Sequence, residues 1–316
     1  MTIRNVWKIA AGLALITIAS TAAPSAQASK TIPLPGANLF PEGIAADAAG
    51  GLYVSSLTQG RILYLAPGSH APRIFVNDGR DGLMSTAGMM VTPDGETLYV
   101  CNSDLGLGRF SGASKPGLVA FDTKTASLTG RWNFPEGGVC NDLTITPNGT
   151  ILMTDSLNPR ILALTSGADK LTQWATDKRF IGEGFNLNGI TWTKQGVFVV
   201  KYNSNELFRI TSLPGGEAGS IDAVHLSRPL VGPDGIKTLD NGDLLVVEGG
   251  GTLARIALNG LQGRINTLGN GLNVPTTAAV FNGSVYVVEG QLDHLPTPGT
   301  SVTPPAPFQL KILNLY

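Results

Sequence analysis

The stretch DGIKTLDNGDLLV, residues 234–246, reads as a short strand, a turn containing Asn-Gly and a second, apolar strand. Asn-Gly or Asp-Gly between two strand-like runs is the strongest short-range signal for a β-hairpin, because both residues tolerate a positive φ. The same plan occurs five more times, at intervals of about 40 to 50 residues, which is the period of a propeller blade. The other five stretches are EGIAADAAGGLYV (42–54), AGMMVTPDGETLYV (87–100), NDLTITPNGTILM (141–153), NGITWTKQGVFV (188–199) and PTTAAVFNGSVYV (275–287).

Each hairpin is followed by sequence for two more strands, such as RILAL (160–164), and no stretch has the pattern of an amphipathic helix. The repeats therefore predict an all-β, six-bladed β-propeller with four antiparallel strands per blade. The last repeat is one strand short, whereas KTIPL (30–34) precedes the first repeat and belongs to none. We expect this N-terminal strand to close the last blade, which removes an open sheet edge. The Pro- and Thr-rich segment Asp293 to Pro307 is predicted to be a long loop in that blade.

Residues 1–28 predict a signal peptide. A positively charged start precedes an uncharged apolar run at residues 9–23, and AQA at residues 26–28 offers a cleavage site. A membrane anchor is the alternative, but the run is short for a bilayer span and ends at Pro24. We therefore expect an exported protein, periplasmic or secreted, in which residues 29–316 form a single propeller domain.

Charge and composition restrict the partners. The formal net charge is −1 at pH 7, only 14% of the residues are charged, and Lys and Arg do not cluster. Neither a nucleic acid nor, after signal cleavage, a membrane is expected as a partner. We expect a monomer that acts on a small-molecule substrate.

The chain has two cysteines, Cys101 and Cys140, near the channel-side strand ends of consecutive repeats. Export makes a disulfide between them chemically feasible. Two small buried thiols are the alternative.

Oxygen-donor side chains recur at one register of the repeat. The first strand of each blade lines the central channel, so equivalent positions form a ring at one depth. Converging carboxylate and amide oxygens need a cation, since their charges and polar atoms are otherwise uncompensated. An all-oxygen set predicts one divalent cation, with Ca²⁺ expected and Mg²⁺, Mn²⁺ or, less in keeping with the ligands, Zn²⁺ as alternatives. Capping of strand starts is the other interpretation. Counting eight positions back from each turn glycine gives Glu42, Ala87, Asn141, Asn188, Asp234 and, next to Thr276, Pro275.

The motifs PEG (Glu42), ND (Asn141), NGITW (Asn188) and GPDGI (Asp234) resemble, in order and spacing, the gluconolactonase/regucalcin family of six-bladed propellers. They are also similar to the wider group that contains paraoxonases and strictosidine synthases. The resemblance covers essentially the whole mature chain. It implies a metal-dependent hydrolase of lactones or related esters, with the cation held by Glu42, Asn188 and Asp234. It also implies that Asn141 contacts the metal or the substrate.

The resemblance further makes Asp234 the candidate base that activates the attacking water, a role as metal ligand alone being the alternative. The second strand of each blade returns to the same face of the ring. Its end residues are candidate substrate-binding groups, with turn capping as the alternative. Those singled out are Asn102, Asp155, Tyr202 and Glu248.

Two further function classes stay open. A propeller can be a non-catalytic sensor or ligand-binding module, because this fold serves both purposes. A strictosidine-synthase-like enzyme would use a glutamate, for which Glu248 or Glu289 is available. Paraoxonase-like and streptogramin-lyase-like chemistry is disfavoured, since His70, His225 and His294 all lie outside the ring register and Thr86 and Ala87 stand where paraoxonases have a histidine.

Overall fold

The computed structural model describes residues 30–295 and 305–315. The predicted signal peptide and most of the predicted loop of the last blade lie outside these residues. Within them the chain forms strands and three 3-10 turns, at Arg80–Gly82, Lys178–Phe180 and Leu292–His294, and no α-helix. Accordingly, the described part contains no helix that is long and apolar enough to cross a membrane.

The strands are arranged in six sheets, the predicted six blades, and within each blade strands that follow one another along the sheet's meander pair antiparallel. Strand β1 (Lys30–Pro33) precedes the first blade, which has β2 (Ile44–Ala46), β3 (Leu52–Ser55), β4 (Ile62–Leu65) and β5 (Arg73–Val76). The second blade has β6 (Ser85–Val91), β7 (Thr97–Ser103), β8 (Gly117–Asp122) and β9 (Leu128–Asn133). The third has β10 (Cys140–Ile145), β11 (Ile151–Asp155), β12 (Arg160–Leu164) and β13 (Thr172–Thr176).

The fourth blade has β14 (Leu187–Thr193), β15 (Gly196–Lys201), β16 (Glu206–Ser212) and β17 (Ala218–Ala223). The fifth has β18 (His225–Leu226), β19 (Pro233–Thr238), β20 (Leu244–Glu248), β21 (Thr252–Asn259) and β22 (Gln262–Gly269). The sixth has β23 (Pro275–Phe281), β24 (Ser284–Glu289) and β25 (Gln309–Asn314). The extra strand β18 was not expected; it pairs in parallel with β22 and covers the outer edge of the fifth blade.

The N-terminal strand closes the ring, as predicted. Strand β1 pairs antiparallel with β25, with Ile32 opposite Leu310, so the sixth sheet has the order β1-β25-β24-β23. Just beyond the strand, the backbone N–H of Leu34 donates to the carbonyl of Phe308 over 2.8 Å. The pairing joins the two ends of the described chain and leaves this blade with its full four strands.

The core lies between blades, where the faces of adjacent sheets bury apolar side chains against each other. One such layer joins the first two blades through Tyr53, Phe75, Leu98 and Phe121, all fully or nearly buried. The hydrophobic effect acts on this packing as a whole, because neither sheet can cover its own apolar face. Packing between blades sets the distance at which the innermost strands approach one another around the channel.

Candidate functional site

Local irregularities in the innermost strands aim the ring side chains at the channel. In β10, Cys140 pairs with Asp155 and Leu143 with Met153, so Asn141 and the residue after it form a bulge in the ladder. The same shift encloses Asn188 in β14 and Asp234 in β19. A β-bulge re-aims a side chain that a regular strand would hold against the neighbouring sheet. The predicted ring register therefore coincides with a repeated bulge.

The sixth blade departs from the counted register by one residue. Its bulge contains Thr276 and Thr277. The count is one residue off because Gly283 lies inside the two-residue turn between Phe281 and Ser284, whereas Gly196 of the fourth blade follows its turn. The ring position is thus Thr276 and not Pro275. Its hydroxyl donates to the backbone carbonyl of Glu42 over 2.7 Å and so holds the first ring residue in place.

Close approach of the innermost strands explains the glycines that follow ring residues. A Cβ on Gly88 would lie 2.5 Å from Oδ1 of Asp142, and one on Gly189 would lie 2.7 Å from the backbone N of Ile236. Real Cβ atoms do not come this close to other heavy atoms, so these blades can meet only with glycine at the contact. In the third blade the equivalent position is Asp142, whose carboxylate occupies space that its neighbour Gly88 leaves free.

Glu42, Asn188 and Asp234 converge on one narrow space in the channel, as predicted from their register. All three are nearly buried, at 6%, 6% and 7% exposure. Burial, then the negative charges of Asp234 and Asp142, raise the pKa of Glu42 well above its usual value. Burial and the charge of Asp142 raise the pKa of Asp234 in the same way, against a hydrogen bond from the Asn188 side chain. The ring therefore concentrates negative charge in a place that water reaches poorly.

A second layer of charge, which the sequence did not reveal, lies beside this ring. Asp142 is 5% exposed and forms an ion pair with Lys237, whose Nζ lies 3.5 Å from Oδ2. Both residues line the same narrow space as Glu42 and Asp234. The positive charge of Lys237 lowers the pKa of Glu42, but burial and the two aspartates outweigh it. A comparison of the residue after each ring position would have singled out Asp142, because four of the six repeats have glycine there.

Three buried oxygen atoms at the ring have no hydrogen-bond partner among the described residues, namely Oε2 of Glu42, Oδ1 of Asn141 and Oγ1 of Thr277. Buried polar atoms are nearly always hydrogen-bonded, so three unpaired oxygen atoms at one site need an explanation. A divalent cation with oxygen ligands satisfies carboxylate and amide oxygens together and offsets the carboxylate charge. The residues present thus fit a cation of the Ca²⁺ type. The described part holds no cluster of three His, Cys, Asp or Glu side chains placed for a metal, so amide oxygens would have to complete the set.

A cavity of about 250 Å³ opens above the ring. Its floor is formed by Glu42, Asn141, Asn188 and Asp234, and its walls are mostly apolar. Tyr202, which the sequence singled out as a candidate substrate-binding residue, lies on its wall and is 39% exposed. Burial, followed by the charge of Asp234, raises the pKa of the Tyr202 hydroxyl. The arrangement places a small-molecule cavity directly over the ring.

Three of the predicted substrate-binding residues have a different role. Among the described residues that line the cavity, Asn102, Asp155 and Glu248 are absent. Each accepts the backbone N–H of a residue just before the innermost strand of its own blade, at 2.8 to 3.1 Å. The donors are Met84, Val139 and Val231 respectively.

We call these three side chains clamps, because each holds a backbone N–H, and this is the capping role that the sequence left as the alternative to substrate binding. Asp155 also binds Arg160 over 3.0 Å, and Glu248 binds Arg228 through two hydrogen bonds of 2.7 and 2.9 Å. Glu289 repeats the pattern in the sixth blade, where it accepts the N–H of Asn273. The clamps fix the entry of the innermost strands and so position the ring residues.

Cys101 and Cys140 form a disulfide, with Cα atoms 5.1 Å apart. This is one of the two alternatives that the sequence left open. The bond joins β7 of the second blade to β10 of the third, next to Asn141. It ties together two blades at the cavity.

The histidines do not contribute to this site. None of His70, His225 and His294 is among the described residues that line the ring or the cavity. His70 and His225 are exposed, and His294 pairs with the neighbouring Asp293, with 3.7 Å between Nε2 and Oδ2.

Comparison with known proteins identifies the fold. No family model matches the sequence, and no curated protein is significantly similar to it. Among solved structures, a gluconolactonase from Xanthomonas campestris superposes with a TM-score of 0.65 at 15% identity, over 90% of each chain. A luciferin-regenerating enzyme gives a TM-score of 0.65 at 12% identity, over 91% of this chain and 96% of that one.

A catalytically inactive His-to-Ala variant of virginiamycin B lyase from Staphylococcus aureus, solved with quinupristin, gives a TM-score of 0.60 at 14% identity, over 91% and 99% of the two chains. At these identities the likeness concerns the fold alone. The chain therefore has the six-bladed propeller architecture that it shares with gluconolactonase, luciferin-regenerating enzyme and virginiamycin B lyase.

Proposed function

We propose that the protein is a divalent-metal-dependent hydrolase of lactones or related esters, with Ca²⁺ as the expected cation. The observation that carries this proposal is the pair of unsatisfied buried acceptors, Glu42 Oε2 and Asn141 Oδ1, at the floor of a cavity of small-molecule size. The common fold with gluconolactonase supports a lactonase-type reaction. An uncharged ester fits a cavity in which carboxylates are confined to the floor.

Each ring residue has a task in this reaction. When bound, a divalent cation supplies Lewis-acid polarisation of the ester carbonyl. Glu42, Asn188 and Asp234 would hold it, because their oxygens converge from three blades. Asp234 also faces the cavity, where its carboxylate can take a proton from the attacking water. Asn141, on the cavity floor, would complete the set with its Oδ1, and its side-chain NH2 group can donate to the substrate carbonyl and orient it.

The alternatives receive less support from the geometry. A strictosidine-synthase-like reaction needs a glutamate at the substrate, whereas Glu248 and Glu289 are hydrogen-bonded to backbone and neighbouring side chains. A lyase that depends on histidine needs one near the ring, and none of the three histidines lines it. Only a measurement of substrate turnover distinguishes a non-catalytic ligand-binding propeller from an enzyme with the same site.

The test is lactone hydrolysis by the mature protein after treatment with EDTA and after reloading with Ca²⁺. We expect EDTA to abolish the activity and Ca²⁺ to restore it, and Asp234→Asn to lose at least about 100-fold in kcat. Loss of turnover with retained Ca²⁺ binding would make Asp234 the base, whereas loss of both would make it a ligand. Asp240→Asn, an exposed aspartate in the hairpin of the same blade, is the matched control and should stay fully active. Activity that survives EDTA, Glu42→Gln and Asp234→Asn contradicts the proposal.

A further inference from the structure

The walls of the cavity are apolar to an unusual degree for a site that would receive a sugar derivative. The larger apolar side chains of the lining come from six parts of the chain, namely Leu57, Leu105 with Leu107, Val139, Phe185, Tyr202, and Leu292 with Leu295. Among the described residues that line the cavity, charge is confined to Glu42 and Asp234 on the floor. The hydroxyl of Ser103 is already used, since it donates to the carbonyl of Cys140 over 3.1 Å. Few polar groups remain for a substrate that carries several hydroxyls.

The apolar surface continues from the wall onto the rim. Phe185 and Tyr202 both line the cavity and are 45% and 39% exposed. They are neighbours, because the backbone N–H of Tyr202 donates to the carbonyl of Asn186 over 2.8 Å. Large apolar side chains exposed in this way are not explained by folding, which favours their burial.

The rim extends further on both sides of these two residues. Val231, at 56% exposure, adjoins Gly232, where an added Cβ would lie 3.4 Å from the Tyr202 ring. On the other side stands Leu157, at 49% exposure; its neighbour Ser156 accepts the N–H of Asn186. Leu157, Phe185, Tyr202 and Val231 are thus exposed apolar side chains on neighbouring segments of the third, fourth and fifth blades, and we refer to them as the rim.

We propose that the substrate is a lactone or ester with an apolar body, such as a γ-lactone with a medium-length alkyl chain, and that Phe185 and Tyr202 determine this specificity. The inference rests on the proposed function. A cavity of about 250 Å³ has the volume of about eight water molecules, which suits a five-membered lactone ring and a few methylenes. The remaining methylenes of the substrate's alkyl chain would lie across the rim. A polyhydroxylated lactone would bury hydroxyls without partners, each lowering affinity about fivefold or more.

The first experiment compares kcat/KM for γ-butyrolactone, γ-heptanolactone, γ-nonanoic lactone and glucono-δ-lactone with the Ca²⁺-loaded protein. We expect an increase of about fourfold for each methylene that is buried, which corresponds to about 0.8 kcal/mol, and glucono-δ-lactone as the poorest substrate. Equal values along the alkyl series, or a preference for glucono-δ-lactone, would overturn the inference while leaving the proposed function intact. If no lactone is hydrolysed, the proposed function fails, and the binding measurement below decides the apolar specificity alone.

The second experiment uses 3-pentylcyclopentanone, which has the shape of γ-nonanoic lactone but cannot be hydrolysed, and measures its Kd by calorimetry. We expect Phe185→Ser and Tyr202→Ser to raise this Kd about tenfold, and to lower by a similar factor the ratio of kcat/KM for γ-nonanoic lactone to that for γ-butyrolactone. Tyr202→Phe should retain both values. The matched control is Leu213→Ser, which removes a leucine of 49% exposure from the loop between β16 and β17, outside the cavity lining. No binding of the ketone by the wild type, or equal effects of Phe185→Ser and Leu213→Ser, would overturn the assignment.

Discussion

Replacing Glu42 by Gln should stabilise the metal-free protein and, at the same time, remove its response to Ca²⁺. In the metal-free state the Glu42 carboxylate is buried beside Asp234 and Asp142, and its Oε2 has no hydrogen-bond partner among the described residues. An unsatisfied buried polar group costs about 1 to 3 kcal/mol, and more when it is charged. Neutralising it should therefore raise the free energy of unfolding by about 1 to 3 kcal/mol, which for a domain of this size raises Tm by about 2 to 6 °C.

With Ca²⁺ present the order of the two proteins should change, because the cation should stabilise wild type and not Glu42→Gln. A cation that binds only the folded state stabilises it by about 2.7 kcal/mol at a concentration of about 100 times Kd, or about 5 °C in Tm. Wild type should show this increase, and Glu42→Gln should lose it because a carboxylate ligand is gone. Differential scanning calorimetry of both proteins, after EDTA dialysis and after addition of Ca²⁺, measures the two effects.

The matched control is Glu248→Gln. Glu248 is as buried as Glu42, but Arg228 and the N–H of Val231 compensate its charge. This variant should therefore lose about 1 to 3 kcal/mol of stability and keep the Ca²⁺ response. The reasoning is refuted if Glu42→Gln destabilises the metal-free protein as Glu248→Gln does, or if Ca²⁺, Mg²⁺ and Mn²⁺ all fail to raise the Tm of wild type.

Three other predictions follow from the geometry. Gly189→Ala places a Cβ against the carbonyl of Asp234, so it should cost about 1 to 3 kcal/mol in chemical denaturation and weaken Ca²⁺ binding in calorimetry. Removing the disulfide with Cys101→Ser and Cys140→Ser frees a loop with a sequence separation of 39, so Tm should fall by about 8 °C, from about 4 kcal/mol of loop entropy. The raised pKa of Glu42 stabilises the fold fully below its unfolded value of 4.5, and this contribution is lost as pH rises through the higher folded value. The Tm of EDTA-treated wild type should therefore fall with rising pH more steeply than that of Glu42→Gln.

Each of these has an outcome that would contradict it. Gly189→Ala with wild-type stability would mean that the blades do not meet as closely as described. Reduction of wild type by dithiothreitol should lower its Tm to that of the variant with both cysteines replaced by serine. If the variant has the Tm of oxidised wild type, the disulfide does not stabilise the fold. Parallel Tm profiles of wild type and Glu42→Gln between acid and neutral pH would show that the pKa of Glu42 is not raised.

Much of the ring was predictable, because a hairpin is encoded by residues close together in the chain. The turn glycines set the register, and the register identified Glu42, Asn188 and Asp234. The one error in counting, Pro275 for Thr276, arose because Gly283 lies inside a two-residue turn, whereas Gly196 of the fourth blade comes directly after a turn of the same length. Closure of the sixth blade by the N-terminal strand also followed from a local observation, a strand without a repeat of its own.

The chain sequence by itself therefore determined the repeat, the blade plan and the oxygen donors of the ring. Only the tertiary structure decided what surrounds them. The ion pair of Asp142 and Lys237 joins residues 95 positions apart, in blades that adjoin the channel at different points of the ring. Likewise, the sequence places Asn102, Asp155 and Glu248 at strand ends but does not show whether their side chains face the cavity or accept the backbone N–H of a loop residue. The physical reason is that a hairpin is stabilised by contacts between neighbours in sequence, whereas the partner of a buried charge is chosen by the packing of whole blades.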